Sequence, residues 1–235
     1  MLRVAVARVA PSPGSGDDAA MPGWLGASEW QRLATLPPTA RRAFIASRSL
    51  LRELLQSATG VPAAAWNVSA EAGLAPVATA PDASGAVHVS LSHRLGWVAA
   101  AVADVVVGVD VECDRPARSD VDDRAALMLS PEELADWPAL PAGDREAALL
   151  ARWTAKEAWF KTSPPEAAPW DFRRVRASAC GPADARANVR TWRATPVHLA
   201  LCCGDARALA EARCDGLPPV VAETFWHVAA AVRPH

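Results

Sequence analysis

Apolar positions along the 235-residue chain change period several times, and each change marks an element. Leu2 to Val9 alternates in the two-residue rhythm of a strand. Residues 11–23, rich in Pro, Gly and Asp, read as a loop, and a helix is predicted from about Thr39 to Ser57, ending near Gly60 and Pro62. Residues 73–85, rich in Pro, Gly and Ala, read as a second loop. Three strand-like runs follow: Ala86 to Leu91, Trp97 to Ala103 and Val105 to Glu112. An acidic, Pro-containing loop from Cys113 to Asp123 leads to a second helical region. Its long helix runs from about Asp144 to Thr162 and is stopped by Pro164-Pro165. Further strands are predicted at Arg173 to Ala179, Asn188 to Ala194 and Val197 to Cys203.

The two helical regions resemble each other at a constant, gapless offset of 104 residues. Leu25, Glu29, Leu36, Pro37, Arg41, Ala43, Arg48 and Glu53 recur as Leu129, Glu133, Leu140, Pro141, Arg145, Ala147, Arg152 and Glu157. Shared composition of Ala- and Leu-rich helices is one explanation; the preferred one is a duplicated unit. Duplication predicts an α+β fold of two similar lobes, each a small antiparallel sheet with a long helix, related by a pseudo-twofold axis. The lobes are expected at residues 1–104 and 105–235, with the active site in the cleft between them, where pockets commonly form.

Composition narrows the partners. A net charge of −2 gives no reason to expect nucleic acid or an anionic membrane. No apolar run approaches the ~20 residues of a membrane span, and the stretch Met1 to Arg8 is too short and too interrupted by Arg for a signal peptide. The five cysteines, Cys113, Cys180, Cys202, Cys203 and Cys214, are odd in number and lack C-x-x-C spacing, so a reducing cytoplasm is expected. Cys202-Cys203 reads as part of a buried strand.

The chemistry gathers in three stretches. In Gly108-Val109-Asp110-Val111-Glu112 the strand period puts Asp110 and Glu112 on one face, opposite Val109 and Val111. Two such carboxylates either form a solvated strand end or converge on a hard cation, and Gly108 leaves room on their face for a ligand. On the long helix, Trp153, Glu157 and Lys161 recur at i, i+4 and i+8, flanked by Lys156 and Phe160. Glu157 is the natural third oxygen donor, completing the partial cage that magnesium favours, and Lys161 would neutralise phosphate oxygens. Ser90-Leu91-Ser92-His93 follows a strand and precedes a turn at Arg94-Leu95-Gly96, which suits either phosphate binding or a plain turn histidine. Arg48 and Arg52 share a helix face, to hold a peripheral phosphate or coat the surface. No G-x-S-x-G, Walker loop or G-x-G-x-x-G occurs.

Together these segments resemble the 4′-phosphopantetheinyl transferases, specifically the larger, pseudo-dimeric kind that activates nonribosomal peptide and polyketide synthases. Gly108 to Glu112 matches the family's G-[IV]-D-[IVL]-E, and Trp153 to Lys161 its W-[ST]-x-K-E-[AS]-x-x-K. Ser90 to His93 is similar to its S-x-S-H segment, and Arg48-Ser49-Leu50-Leu51-Arg52 to its R-x-L-x-R helix. The resemblance implies coenzyme A as co-substrate, Mg2+, and an apo acyl or peptidyl carrier protein as partner. The carrier serine attacks the β-phosphorus of coenzyme A, and adenosine 3′,5′-bisphosphate leaves. It further implies Asp110, Glu112 and Glu157 as metal ligands, with Lys161 on the pyrophosphate and His93 with Arg48 at the 3′-phosphate. Arg52, Ser92 and Lys156 are further expected cofactor contacts. Asp110, Glu157 and Lys161 form the expected catalytic set. Glu157 is the candidate base, a metal-bound water positioned by Asp110 the alternative. A cytoplasmic monomer is expected.

The chain departs from the family pattern at Gly73-Leu74-Ala75-Pro76, where many members carry Gly-Lys-Pro, and in its Pro-rich segment after Lys161. Two other readings compete: a magnesium-dependent phosphohydrolase acting on nucleotides or coenzyme A, and a non-catalytic coenzyme A or carrier-binding module.

Overall fold

The alternating first strand, the Ala-rich run and the long amphipathic helix assemble as one layer on another. A computed structural model describes residues 1–9, 22–81, 85–115, 120–162 and 171–230. Most of the predicted loop at 11–23 and the Pro164-Pro165 helix stop lie outside the described residues. The chain divides into two units, Met1–Val107 with Ala212–Leu217, and Gly108–Glu211 with Pro218–His235.

The first unit contains β1 (Leu2–Arg8), α1 (Ala27–Thr35), α2 (Pro38–Thr59), the short pair β2 (Asn67–Val68) and β3 (Ala78–Thr79), then β4 (His88–Arg94) and β5 (Trp97–Ala103). β5 lies between β1 and β4, antiparallel to both. Its run of alanines keeps the sheet surface low, so Leu51, Leu54 and Leu55 of α2 pack directly on Ala100, Val102 and Val89. Pro38 starts α2 without wasting an N–H donor, and Gly60, with φ +76°, ends it in the left-handed region. β4 runs through Ser92, His93 and Arg94, beyond the predicted end at Leu91. The hairpin turns on Leu95 and Gly96, whose φ values of +44° and +80° twist the chain as a tight two-residue turn requires.

The second unit contains β6 (Val107–Cys113), α3 (Val121–Met128), α4 (Pro131–Asp136), α5 (Arg145–Phe160), β7 (Val175–Cys180), β8 (Val189–Ala194), β9 (Val197–Cys203) and α6 (Ala206–Glu211). The chain then lends β10 (Cys214–Asp215) to the first unit, parallel to β1, before β11 (Ala222–Ala230). The second sheet has the order β6-β9-β8-β11-β7. α5 covers one face of it: Ala155, Ala158 and Phe160 meet Ala177, Val189, Ala200, Cys202, Trp226 and Val228. β11, absent from the sequence reading, sits inside this sheet between β8 and β7. Cys202 and Cys203 are buried in β9, and all five cysteines are free thiols.

The units share local construction as well as composition. β1-β5-β4 in the first sheet has the same order and hairpin as β6-β9-β8 in the second. Side-chain bonds also recur at the 104-residue offset. Glu29 accepts from Gly26 N at 2.9 Å and Glu133 from Ser130 N at 2.7 Å, each closing the first turn of a helix. Arg41 Nε donates to Leu36 O at 3.1 Å, and Arg145 Nε to Leu140 O at 3.3 Å.

Candidate active site

β6 is buried along its whole length, so Asp110 and Glu112 are carboxylates in the interior rather than at a solvated strand end. They survive there because neighbouring elements bring cations to them. A Cβ at Gly108 would lie 2.0 Å from Ala158 O and 3.0 Å from Thr162 Cγ2. The room expected beside Gly108 for a ligand is therefore taken by the backbone of α5. This close approach lays the end of α5 along the strand's acidic face. Lys161 Nζ reaches Asp110 Oδ1 and Val109 O, both at 2.8 Å.

Glu157, one turn before Lys161, lies near enough to Asp110 and Glu112 to feel both negative charges. Burial pushes its carboxyl up to about 8, and the negative charges of Asp110 and Glu112 add to the effect while Lys161 opposes it. Glu112 Oε2 accepts from Arg115 Nη2 at 2.9 Å. Three acidic side chains and two basic ones thus interlock within the second unit. Arg115 was missed because it sits in a stretch whose composition reads as an acidic loop. Its i, i+3 spacing from Glu112 is the only signal the sequence carries.

Two expected cofactor contacts, Lys156 and Arg52, lie buried on carboxylates of their own unit. Lys156 is 1% exposed, and its three N–H donors are spent on Glu133 Oε2 at 2.5 Å, Met128 O at 2.9 Å and Phe172 O at 3.0 Å. Burial lowers its pKa, with Glu133 opposing. Lys156 points into the core because it sits one residue before Glu157 on α5, about 100° round the helix. Arg52, 2% exposed, gives Nη1 and Nη2 to Glu29 at 2.9 and 2.5 Å, and stacks over Trp24. Arg52 with Glu29 and Lys156 with Glu133 occupy equivalent positions at the 104-residue offset. Both pairs tie a helix start to a long helix.

Arg48 differs from both. Its side chain is 9% exposed, lies over the Phe44 ring, and approaches Glu29 only to 3.7 Å. Nε and Nη1 are buried and find no hydrogen-bond acceptor among the described residues. Burial lowers its pKa to about 10, with Glu29 opposing. One carboxylate, Glu29, therefore serves two guanidiniums, and the site is short of one negative charge. Neither arginine coats the surface. Ser92 is half-buried and His93 exposed on β4. Glu53, the offset counterpart of Glu157, is exposed and accepts from Ser49 Oγ at 3.1 Å.

The donors near Asp110 are all oxygens, as a hard cation requires. Among the described residues no three His, Cys, Asp or Glu side chains form a ready-made cage. The buried carboxyls of Asp110 and Glu112 and the half-buried one of Glu157, each raising the cost of the others' charge, however, mark a place where positive charge is lacking. All-oxygen donors incompletely surrounding the ion are what Mg2+ accepts and what a transition metal does not require. Asp110, Glu112 and Glu157 are oxygen donors of the kind such an ion takes.

Comparison with known proteins covers this same unit. Residues 106–210 match the family model described as the 4′-phosphopantetheinyl transferase superfamily, a span containing β6, α5 and the whole carboxylate–lysine cluster. This part of the chain is similar to that superfamily. The chain is also similar to the 4′-phosphopantetheinyl transferase psf-1 of Bacillus pumilus, at 36% identity over 74 residues. That alignment covers 32% of this chain and spans 30% of the relative's length.

Proposed function

We propose that this protein transfers 4′-phosphopantetheine from coenzyme A to a serine of an apo acyl or peptidyl carrier protein, with Mg2+, releasing adenosine 3′,5′-bisphosphate. The observation that carries the reading is the cluster of Asp110, Glu157 and Lys161, held together by the contact between Gly108 and Ala158. The superfamily match over residues 106–210 supports it.

In the reaction the serine oxygen forms a bond to the β-phosphorus and the bridging P–O bond breaks toward the adenosine side. The serine proton must go to a base. Glu157 takes that role: its affinity for a proton is already raised by its surroundings, and a base works best with a pKa near the operating pH. Asp110, Glu112 and Glu157 would hold Mg2+, which supplies positive charge to the pyrophosphate oxygens. Lys161, paired with Asp110, turns to the pyrophosphate as charge builds there. Arg48, with its unmet donors, takes the 3′-phosphate together with His93 of β4, and Ser92 adds a hydroxyl. The lobes 1–104 and 105–235 belong to this proposal.

Release of adenosine 3′,5′-bisphosphate, followed with and without an apo carrier, tests the reaction type. The transferase reading expects release only with the carrier. Release at an undiminished rate without it would indicate a phosphohydrolase.

A further inference from the structure

We propose that Arg115 is a positioning residue that competes with the divalent cation for Glu112, and so sets cation affinity at the site. The inference rests on the reading of Asp110, Glu112 and Glu157 as metal ligands. Each carboxylate of β6 carries a basic side chain, Lys161 on Asp110 and Arg115 on Glu112. The two cations differ in how they are held. Lys161 also donates to Val109 O and sits at the end of a long helix. Arg115 lies beyond the end of β6, donates to Glu112 through Nη2, and leaves Nε buried with no acceptor. A buried donor without an acceptor is unfavourable, so this guanidinium is not at its best seat.

A second seat adjoins it. A cavity of about 70 Å³ is lined by Arg115, Trp153, Met128, Arg124 and Glu146. Glu146 is paired with Arg124 through both carboxylate oxygens. A carboxylate between two guanidiniums is a common arrangement, and Glu146 faces the cavity that Arg115 also lines. Trp153 Nε1, likewise buried without an acceptor, shows that this wall is under-satisfied as it stands. When the cation takes Glu112, Arg115 has space and a carboxylate to move toward. While the cation is absent, Arg115 offsets the repulsion that Glu112 adds to Asp110. Arg115 thus lowers cation affinity and stabilises the cation-free protein together, two effects that a residue merely holding its loop would not couple.

The test is a calorimetric titration of Mg2+ into the wild-type protein, Arg115→Gln and Arg115→Lys, without coenzyme A, with melting temperatures in EDTA. Arg115→Gln is expected to bind Mg2+ about tenfold tighter, the scale of removing one adjacent charge at a half-buried site, and to melt lower in EDTA. Arg115→Lys, which keeps the charge, should stay close to wild type. On a Glu112→Gln background, where the competition has no object, the Arg115→Gln tightening should disappear. Should Arg115→Gln fail to fold, Arg115→Met carries the same test, with tighter Mg2+ binding expected on the wild-type background and no tightening on Glu112→Gln. Unchanged or weaker Mg2+ binding by folded Arg115→Gln would overturn the role of Arg115 alone. No Mg2+ binding by the wild type would overturn the metal reading, and this proposal with it.

Discussion

Glu157 changes meaning with its proton. In the cation-free protein its folded pKa of about 8 lies above the ordinary value of 4.5. Between those values the native state holds a proton that the unfolded chain has lost. Its contribution to stability is therefore complete below the unfolded value and lost as pH rises through the folded one. In EDTA, the wild type should melt progressively lower from about pH 5 to about pH 8. Glu157→Gln should flatten that slope and melt higher at the alkaline end. The same substitution should cost turnover by roughly the 10²–10⁴-fold typical of a positioned base. Retained turnover with a flattened stability profile would leave Glu157 as a buried acid with no part in proton transfer. Arg48 makes a separate residue-scale prediction. Its buried Nε and Nη1 lack acceptors, so Arg48→Ala should weaken coenzyme A about tenfold or more while barely changing 3′-dephospho-coenzyme A. Equal losses for both ligands would remove Arg48 from the 3′-phosphate.

At the scale of elements, the site depends on how closely α5 lies against β6. Gly108→Ala places a methyl group 2.0 Å from the Ala158 carbonyl, which the helix can accommodate only by moving away. The expected cost is about 1–3 kcal/mol of stability, with a loss of turnover larger than that of an equally destabilising core substitution elsewhere. The neighbouring Lys156 tests the opposite case. Lys156→Met strands Glu133 in the core and should cost about 3–5 kcal/mol, yet coenzyme A should bind the folded fraction as it binds wild type. Preferential loss of coenzyme A binding would return Lys156 to the cofactor.

Much of this was legible before any coordinates. The alternation of Val109 and Val111 with Asp110 and Glu112 sets which side chains share a face, and the i, i+4 spacing of Glu157 and Lys161 sets which reach it. Periodicity assigns a face but not what lies opposite. Gly108 therefore looked like room for a ligand when it admits a helix backbone. Arg52 and Lys156 carry charge in the right stretches, but their buried partners Glu29 and Glu133 stand 23 residues away in each case, beyond any local pattern. β11 escaped because Glu223 and His227 interrupt its apolar rhythm, although Trp226 and Val228 face the core.

For the whole molecule, the two units differ where chemistry is expected. Glu29–Arg52 and Glu133–Lys156 persist as matched structural ties. Glu53, by contrast, is exposed where its counterpart Glu157 is drawn against Asp110. One copy of the unit keeps an arginine with unmet donors, and the other an acidic cluster. The account assigns the first to the coenzyme A phosphate and the second to transfer. Intact-mass measurement of a panel of apo acyl and peptidyl carriers, incubated with this protein, coenzyme A and Mg2+, tests that assignment most directly. The account predicts that at least one carrier gains a single phosphopantetheine on its serine, with the gain lost in Asp110→Ala. An unmodified panel, with the protein shown to be folded and binding Mg2+, would contradict it.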